Sequence, residues 1–93
     1  MKKQNILIKD LESEFENLST KLVQYCCRFD STIKVEEFGK MYNAKSIFST
    51  MKLRLEPGEV VTVYVEGNDE EYVMMQLIHF LGSVNKESLG GVI

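Results

Sequence analysis

The chain has 93 residues, 44% of them hydrophobic, and its 11 basic and 14 acidic side chains leave a formal net charge of −3. This length predicts one small domain, and the acidic balance argues against direct nucleic-acid binding, which usually needs a basic face. Because no apolar run approaches the ~18 residues of a membrane span and the first residues lack the hydrophobic region of a signal peptide, we expect a cytoplasmic protein without membrane contact.

The first part of the chain predicts a strand followed by a long helix. Residues 5–9 form a short apolar strand, and Ser13 with Glu16 has the spacing of a capping box that would start a helix at Glu14. Apolar side chains then recur every three or four residues along one helical face, which comprises Phe15, Leu18, Leu22, Cys26 and Phe29.

A hairpin follows this helix. Residues 32–37 alternate as in a half-buried strand, with Ile33 and Val35 inside. Residues 38–39 are expected to form the turn and residues 41–43 the return strand.

A short capped helix is predicted next. The hydroxyl of Ser46 is placed to accept a hydrogen bond from a free backbone N–H one turn on, and residues 57–58, Pro-Gly, close the segment. Phe48 is expected at the surface. Three apolar residues recur at four-residue spacing and would form one helical row: Ile47, Met51 and Leu55.

The last third predicts one more strand and one more helix. Residues 60–66 alternate clearly, and a final helix capped by Asn68 should run to about Ser83. We therefore expect a single domain over residues 1–88, with residues 89–93 as a loose tail. The order β-α-β-β-α-β-α indicates an α+β fold, an antiparallel sheet with helices on one side.

A family resemblance rests on nine residues of the central third: Asn43, Ala44, Lys45, Ser46, Ile47, Met51, Leu53, Gly58 and Thr62. The pattern resembles HPr, the histidine-containing phosphocarrier protein of the bacterial sugar phosphotransferase system, and it extends without a gap over most of the chain. The resemblance implies the HPr-like open-faced β-sandwich, in which a four-stranded antiparallel sheet is covered on one face by three helices.

The resemblance fails where that family keeps its chemistry. Family members carry phosphate on one histidine in a Gly-(Ile/Leu)-His-Ala-Arg-Pro loop between the first strand and first helix. An ungapped match places Phe15 at the acceptor position, and Glu16, Asn17 and Leu18 follow it. A benzene ring has no lone pair with which to attack phosphorus, and no histidine precedes Arg28, so no shift of register restores the acceptor. We therefore expect no enzymatic activity, no catalytic residue and no cofactor.

Ser46 is the stronger candidate for a functional site. In HPr of low-GC Gram-positive bacteria, and in a regulatory paralogue without the histidine, a dedicated HPr kinase phosphorylates the matching serine, and the product binds a LacI-type catabolite control repressor. The resemblance thus implies a regulatory phosphorylation site at Ser46 and a partner-binding surface formed by Ile47, Phe48 and Met51. A helix cap alone would also explain this serine, and Ser49 stands where the family often has glycine.

The remaining candidates are weaker. His79 is the only histidine and is expected at the surface of the last helix, where Met75 and Ile78 would be left near solvent and could support self-association. The adjacent Cys26 and Cys27 are expected to be reduced residues at the edge of the core, with redox sensing as the alternative. Two cysteines without a matching pair of ligands do not make a zinc site, so no metal is expected.

Three functional hypotheses follow. The first is a non-catalytic regulator or adaptor that binds proteins, either the kinase and repressor above or components of the phosphotransferase system. The second is a phosphocarrier with an atypical acceptor such as His79 or Glu16. The third is a structural module that keeps only the fold and forms a homodimer.

Overall fold

The structure, a computed structural model, describes residues 1–9 and 18–84, with side chains for residues 1–9 and 20–82. In chain order its elements are β1 (Lys2–Ile8), α1 (Leu18–Cys26), β2 (Thr32–Glu37), β3 (Lys40–Asn43), α2 (Ile47–Thr50), β4 (Val60–Glu66), α3 (Glu70–Leu81) and β5 (Gly82–Val84). The predicted helix start at Glu14 and the predicted tail over residues 89–93 lie outside the described residues.

All strands of the sheet pair antiparallel, in the order β3-β2-β4-β1-β5. The centre of the sheet places Val35 opposite Val63, and Ile6 opposite Val61. Strands β1 to β4 and the three helices form the HPr-like α+β fold that the resemblance implied, and that expectation is confirmed; β5 adds a short fifth strand at the edge.

One face of the sheet forms the core. The two-residue alternation in β1, β2 and β4 buries their inward side chains almost completely: Ile6, Ile8, Ile33, Val35, Val61, Val63 and Val65. From the helices, α1 contributes Leu22 and Cys26, and α3 contributes apolar residues one turn apart: Val73, Leu77 and Leu81. The opposite face of the sheet is polar, since Thr62 Oγ1 donates to Asn5 Oδ1 at 2.7 Å and the Tyr64 hydroxyl donates to Glu36 at 2.6 Å.

The two longer helices are joined by an aromatic contact. The rings of Tyr25 on α1 and Phe80 on α3 are stacked with their centroids 4.7 Å apart. The Tyr25 hydroxyl also donates to Oε1 of Gln76 at 3.2 Å. This contact holds α1 beside α3 and thereby fixes the end of α1, next to which α2 packs.

The hairpin turn adopts a conformation that its sequence only half favours. Phe38 has φ 52° and Gly39 has φ 80°, and the flanking Glu37 and Lys40 are paired. Two consecutive residues with positive φ define the type I′ turn, which matches the twist of the strands and usually has Asn-Gly or Asp-Gly at its centre. The predicted turn is confirmed, but a bulky phenylalanine occupies a position that favours small or polar residues.

The last helix differs from the prediction at both ends. Its N-cap is Asp69 rather than Asn68, and this cap side chain makes no hydrogen bond to the helix, whereas the Glu70 carboxylate accepts from the backbone N–H of Gly67 at 3.2 Å. Helix α3 ends at Leu81, because the chain passes directly into β5 instead of continuing to Ser83. The prediction therefore placed the end of this helix about two residues too far along the chain, and the short edge strand was not predicted.

Gly82 makes this change from helix to strand possible. Its extended backbone lies so close to β1 that a Cβ atom built on it would be 1.8 Å from the carbonyl oxygen of Leu7. Only glycine permits this approach, and β5 then pairs with β1, with Gly82 opposite Ile8.

Candidate regulatory site and contact surface

Ser46 caps the single turn of α2. Its backbone is extended, with φ −103° and ψ 121°, and its Oγ accepts a hydrogen bond from the backbone N–H of Ser49 at 3.3 Å. The Ser46 carbonyl accepts from the N–H of Thr50 at 2.9 Å, which closes the turn. The predicted cap is confirmed, and Ser46 is partly exposed.

The residues before Ser46 fix its position. Oδ1 of Asn43 accepts from the backbone N–H of Lys45 at 2.9 Å, a side-chain turn typical of asparagine. The Lys45 ammonium donates to the carbonyl of Phe29, just beyond the end of α1. Ala44 is fully buried, so the segment that leads to Ser46 is anchored on the core and on α1.

Three exposed apolar side chains lie beside Ser46, and we call them the α2 patch: Ile47, Phe48 and Met51. Their exposed fractions are 51%, 79% and 72%. Thr50 faces inward at 1% exposure, and its hydroxyl donates to the Ile47 carbonyl at 3.1 Å. The surface position expected for Phe48 is confirmed, and large apolar groups this exposed mark a possible contact surface.

The predicted row of three apolar residues along this helix does not form. Helix α2 spans only Ile47–Thr50, so Leu55 lies beyond it, buried at 1% exposure and with a positive φ of 48°. Ile47 and Met51 point to solvent, whereas Leu55 belongs to the core. Equal spacing misled the prediction because the helix is too short to carry the period that far.

A buried carboxylate organises the chain after α2, and no sequence motif indicated it. Glu37, at the end of β2, is 3% exposed, and its carboxylate accepts from the backbone N–H of Arg54 at 3.0 Å and of Leu55 at 2.9 Å. The alternation that places Ile33 and Val35 inside also places Glu37 inside, so the strand pattern held the only available signal.

The other chemically notable residues lie apart from this site or offer little reactivity. His79 is exposed in the last turn of α3, and its carbonyl accepts from the ammonium of Lys9 at 3.1 Å. Cys26 is buried and burial raises the pKa of its thiol to about 12, whereas Cys27 is exposed; both are free. A thiol with so high a pKa is a poor nucleophile.

Of the two residues predicted to lie near solvent on α3, only one is exposed as expected. Met75 is 61% exposed, with the 58% exposed Tyr72 one turn before it. Ile78 instead packs partly against the core, because α3 buries more of its circumference than one face. The exposed apolar pair on this helix is therefore Tyr72 and Met75.

Some predictions concern groups or residues that the structure does not place. Phe15, Glu16 and Asn17, at the positions matching the family's phosphate loop, lie outside the described residues. Within residues 1–9 and 18–84 there is no cluster of three or more histidine, cysteine or acidic side chains that could hold a metal ion. No helix in that part of the chain is both long and apolar enough to cross a membrane.

Comparison with known families supports one assignment. The family model described as "PTS HPr component phosphorylation site" matches residues 4–83, which is most of the chain and includes Ser46. The chain belongs to the HPr family. HPr-family proteins are phosphocarrier or regulatory components of the phosphotransferase system rather than enzymes in the usual sense.

Individual HPr-family proteins show the same relationship. The chain is 46% identical over 59 residues to the HPr-like protein Crh of Halalkalibacterium halodurans, a match that covers 63% of this chain and 70% of that protein. The crystal structure of HPr-C-His from Thermoanaerobacter tengcongensis is 36% identical with a TM-score of 0.75, covering 87% of this chain and 91% of that one. Crh from Bacillus subtilis, 32% identical with a TM-score of 0.61 over 80% and 82% of the two chains, was solved as an intertwined dimer with a swapped domain.

Proposed function

We propose that this HPr-family protein is a regulator that acts by binding other proteins and does not relay phosphate through a histidine. The observation that carries the proposal is the phenylalanine at position 15, where the family has its acceptor, in a chain whose only histidine is His79. Transfer of a phosphoryl group needs a nucleophile with a free lone pair, and phenylalanine has none. The similarity to proteins named Crh, one of which is described as a catabolite repression protein, supports a regulatory role.

The proposal includes phosphorylation of Ser46 as the switch. Ser46 is partly exposed and borders the α2 patch, so a phosphoryl group there would change the surface that a partner meets. Phosphate adds about −1.5 to −2 charges near neutral pH. Between Glu37 and Glu56 the chain has basic residues and no acidic ones; they are Lys40, Lys45, Lys52 and Arg54. The added charge would therefore enter a basic stretch of an otherwise acidic protein. The proposed partners are an HPr kinase and a LacI-type transcriptional regulator.

The first experiment tests the absence of histidine phosphotransfer. The protein and a histidine-containing HPr are each incubated with enzyme I and labelled phosphoenolpyruvate. We expect label on the control HPr and none on this chain. An acid-labile phosphoryl group on this chain would contradict the proposal and favour the phosphocarrier alternative, and its loss in His79→Ala would identify the acceptor.

The second experiment tests the switch. The protein and its Ser46→Ala variant are incubated with an HPr kinase and ATP, and phosphorylation is followed by intact mass. We expect one added phosphoryl group on the wild type and none on the variant. Unchanged mass of the wild type, in a reaction that phosphorylates a control HPr, would exclude regulation by this kinase.

The third experiment tests the contact surface. Phe48→Ala removes the most exposed side chain of the α2 patch, and Phe38→Ala is a matched control because Phe38 is 72% exposed but lies in the hairpin turn. Binding of the phosphorylated protein to the purified LacI-type regulator of the same organism is measured by calorimetry. We expect Phe48→Ala to weaken binding about tenfold or more, as is common for a central aromatic contact. Equal affinities for the two variants would contradict the assignment of the patch.

A second candidate function is assembly into a homodimer through α3. Tyr72 and Met75 form an exposed apolar pair on this helix, and relatives have been solved as dimers, including HPr from Thermoanaerobacter tengcongensis and Crh from Bacillus subtilis. Sedimentation at micromolar concentration should then show a dimer that Met75→Glu disrupts. Met41→Glu, a change at a half-exposed methionine on β3, is the control and should leave the dimer intact. A strict monomer would contradict this candidate.

A further inference from the structure

Glu37 holds the segment that follows α2, residues 51–59, which we call the α2–β4 segment. Its carboxylate accepts from the backbone N–H of Leu55 at 2.9 Å and of Arg54 at 3.0 and 3.2 Å from its two oxygens. Leu55 has a positive φ, which costs free energy for a side chain of this size. Glu37 thus fixes an unfavourable backbone conformation and satisfies amides that would otherwise be buried without partners.

A second carboxyl group, that of Glu59, meets Glu37 at the other end of the same segment. Glu59 directly precedes β4, and its Oε1 accepts from the backbone N–H of Glu56 at 3.0 Å. Its Oε2 is buried, and in the part of the chain that the structure describes no donor reaches it. The Glu37 carboxyl lies beside it within reach of a hydrogen bond. Two carboxyl groups can share a hydrogen bond only if one of them is protonated, so a proton between the two groups would supply the donor that Glu59 lacks.

The environment favours a proton on Glu59. Burial, followed by the hydrogen bond to Glu37, raises the pKa of Glu59 to about 7. Burial also raises the pKa of Glu37, but the hydrogen bonds from Glu59 and from the amides of Leu55 and Arg54 outweigh it and hold that pKa below its ordinary value. One member of the pair is therefore the donor and the other the acceptor.

Few other charges act on this pair. The negative charges of Glu37 and Glu56 oppose ionisation of Glu59, and the Arg54 guanidinium favours ionisation of Glu37. Arg54 is itself paired with Glu56, with Nε 2.9 Å from Oε2. The neighbouring strand β1 contacts Glu59 through the main chain, where the N–H of Ile8 donates to the Glu59 carbonyl at 2.8 Å. No cation in the described part of the chain forms an ion pair with Glu59 that could replace the shared proton.

We propose that the shared proton between Glu59 and Glu37 acts as a latch that holds the α2–β4 segment on the end of β2, and that its loss loosens the segment. Once both carboxyl groups are ionised they repel each other at short range in a partly buried site. The amides of Arg54 and Leu55 then lose a firmly held acceptor. Because Met51 belongs to both this segment and the α2 patch, loosening also alters the patch; this last step, unlike the latch, rests on the proposed function.

The direction of the pH dependence follows from the signs of the two shifts. The pKa of Glu59 is higher in the folded protein than its ordinary value of 4.5, so its contribution to stability is complete below pH 4.5 and is lost as the pH rises through about 7. Glu37 has the opposite sign, and its contribution is lost only as the pH falls through its lowered pKa. The latch therefore opens on the alkaline side of neutrality.

The experiment measures the latch directly in the full chain. Carboxyl carbon chemical shifts give the titration of Glu59, and amide hydrogen exchange, corrected for the intrinsic rate, gives the protection of Arg54 and Leu55. We expect Glu59 to titrate near pH 7 and the protection of both amides to fall about tenfold between about pH 6 and pH 8, while Val63 in β4 stays unchanged.

Two variants complete the test. Glu59→Gln keeps a donor toward Glu37 but cannot ionise, so it should abolish the pH dependence of protection. Glu56→Gln removes an exposed carboxylate whose charge is the smallest of the influences on Glu59, so it should preserve the pH dependence of protection with its midpoint slightly lower. A wild-type Glu59 that titrates near 4.5, or equal pH dependence in wild type and Glu59→Gln, would overturn the latch. If Glu59→Gln does not fold, the titration of Glu59 in the wild type alone tests the latch.

A partner measurement tests the link to the α2 patch. If the latch titrates as expected but the affinity for the LacI-type regulator is the same on both sides of neutrality, the coupling to the patch is wrong. Failure of the latch itself, by contrast, leaves the proposed function intact, because neither Ser46 nor Phe48 enters the titration.

Discussion

The sheet core and the region from Asn43 to Glu59 are held together in different ways. The core is built from alternating apolar side chains with almost no exposed surface, such as Val63 and Leu77. The second region, which contains α2, depends instead on polar contacts to the backbone from Asn43, Ser46 and Glu37. Burial of apolar area is non-directional, whereas each of these hydrogen bonds fixes one particular backbone conformation.

Because of this difference, the stability of the fold and the presentation of the α2 patch depend on different contacts. The apolar core maintains the fold whichever residues lie at the surface, and the polar contacts decide how the α2 patch is presented. Under the proposed function, the phosphate chemistry would be lost at one site while a binding surface is kept at another. Substitutions in the two regions should accordingly have different consequences.

The largest effect is expected in the core. Leu77→Ala removes a fully buried side chain that packs α3 on the sheet, and it should lower the free energy of unfolding by about 3 kcal/mol. Urea denaturation followed by circular dichroism measures this change. If the loss were below about 1 kcal/mol, the core would be less tightly packed than the complete burial of Leu77 indicates.

The next effect is expected at the carboxylate that holds the α2–β4 segment. Glu37→Ala leaves the amides of Arg54 and Leu55 without their acceptor, and we expect a loss of about 2 kcal/mol in unfolding free energy. Unlike Leu77→Ala, this change should cause local loosening, seen as faster amide exchange confined to the segment. Exchange that rises equally in β4 would mean that the two regions are not distinct.

A smaller effect is expected at the helix cap. Ser46→Ala removes the acceptor for the Ser49 amide and should cost about 1 kcal/mol of unfolding free energy. Ser46→Asp, which keeps a capping oxygen, should recover most of this stability in the same denaturation experiment. A full loss in both variants would show that the hydroxyl is needed for something other than capping.

The smallest effect is a gain. Phe38 has a positive φ in a type I′ turn, and Phe38→Asn places a residue there that tolerates this conformation. The exposed ring lies 5.9 Å from the Arg54 guanidinium carbon, a contact of little value in water, so we expect a net gain of about 0.5 kcal/mol. The thermal midpoint of unfolding measures it, with Phe38→Ala as the control that lacks the turn preference.

The regular part of the fold could be predicted because its signals are local and periodic. The alternation over residues 60–66 corresponds to β4 at the same bounds, and Ile33 with Val35 correctly marked the buried face of β2. Gly82 offered a local signal for the end of α3, but nothing local marks the residues after Leu81 as a strand. Their strand conformation depends on pairing with β1, which is distant in the chain.

The candidate site was predictable only in part. Ser46 was found because capping is local, and Phe48 because a short amphipathic segment cannot bury every apolar residue. Leu55 was misplaced because spacing does not show where a helix stops. The pairing of Glu37 with Glu59 joins residues more than twenty positions apart, and it follows from the packing of the α2–β4 segment rather than from any motif.

Strand β5 has a practical consequence for anyone who shortens this protein. It closes the second edge of β1, which otherwise pairs with β4 alone. A chain cut after Leu81 would retain the buried core yet leave the main-chain groups of Leu7 open on that side, since those of Ile8 bond to Glu59 and Gly58 on the other side. An unpaired strand edge can pair with a strand of another molecule, so we expect the shortened chain to aggregate rather than unfold.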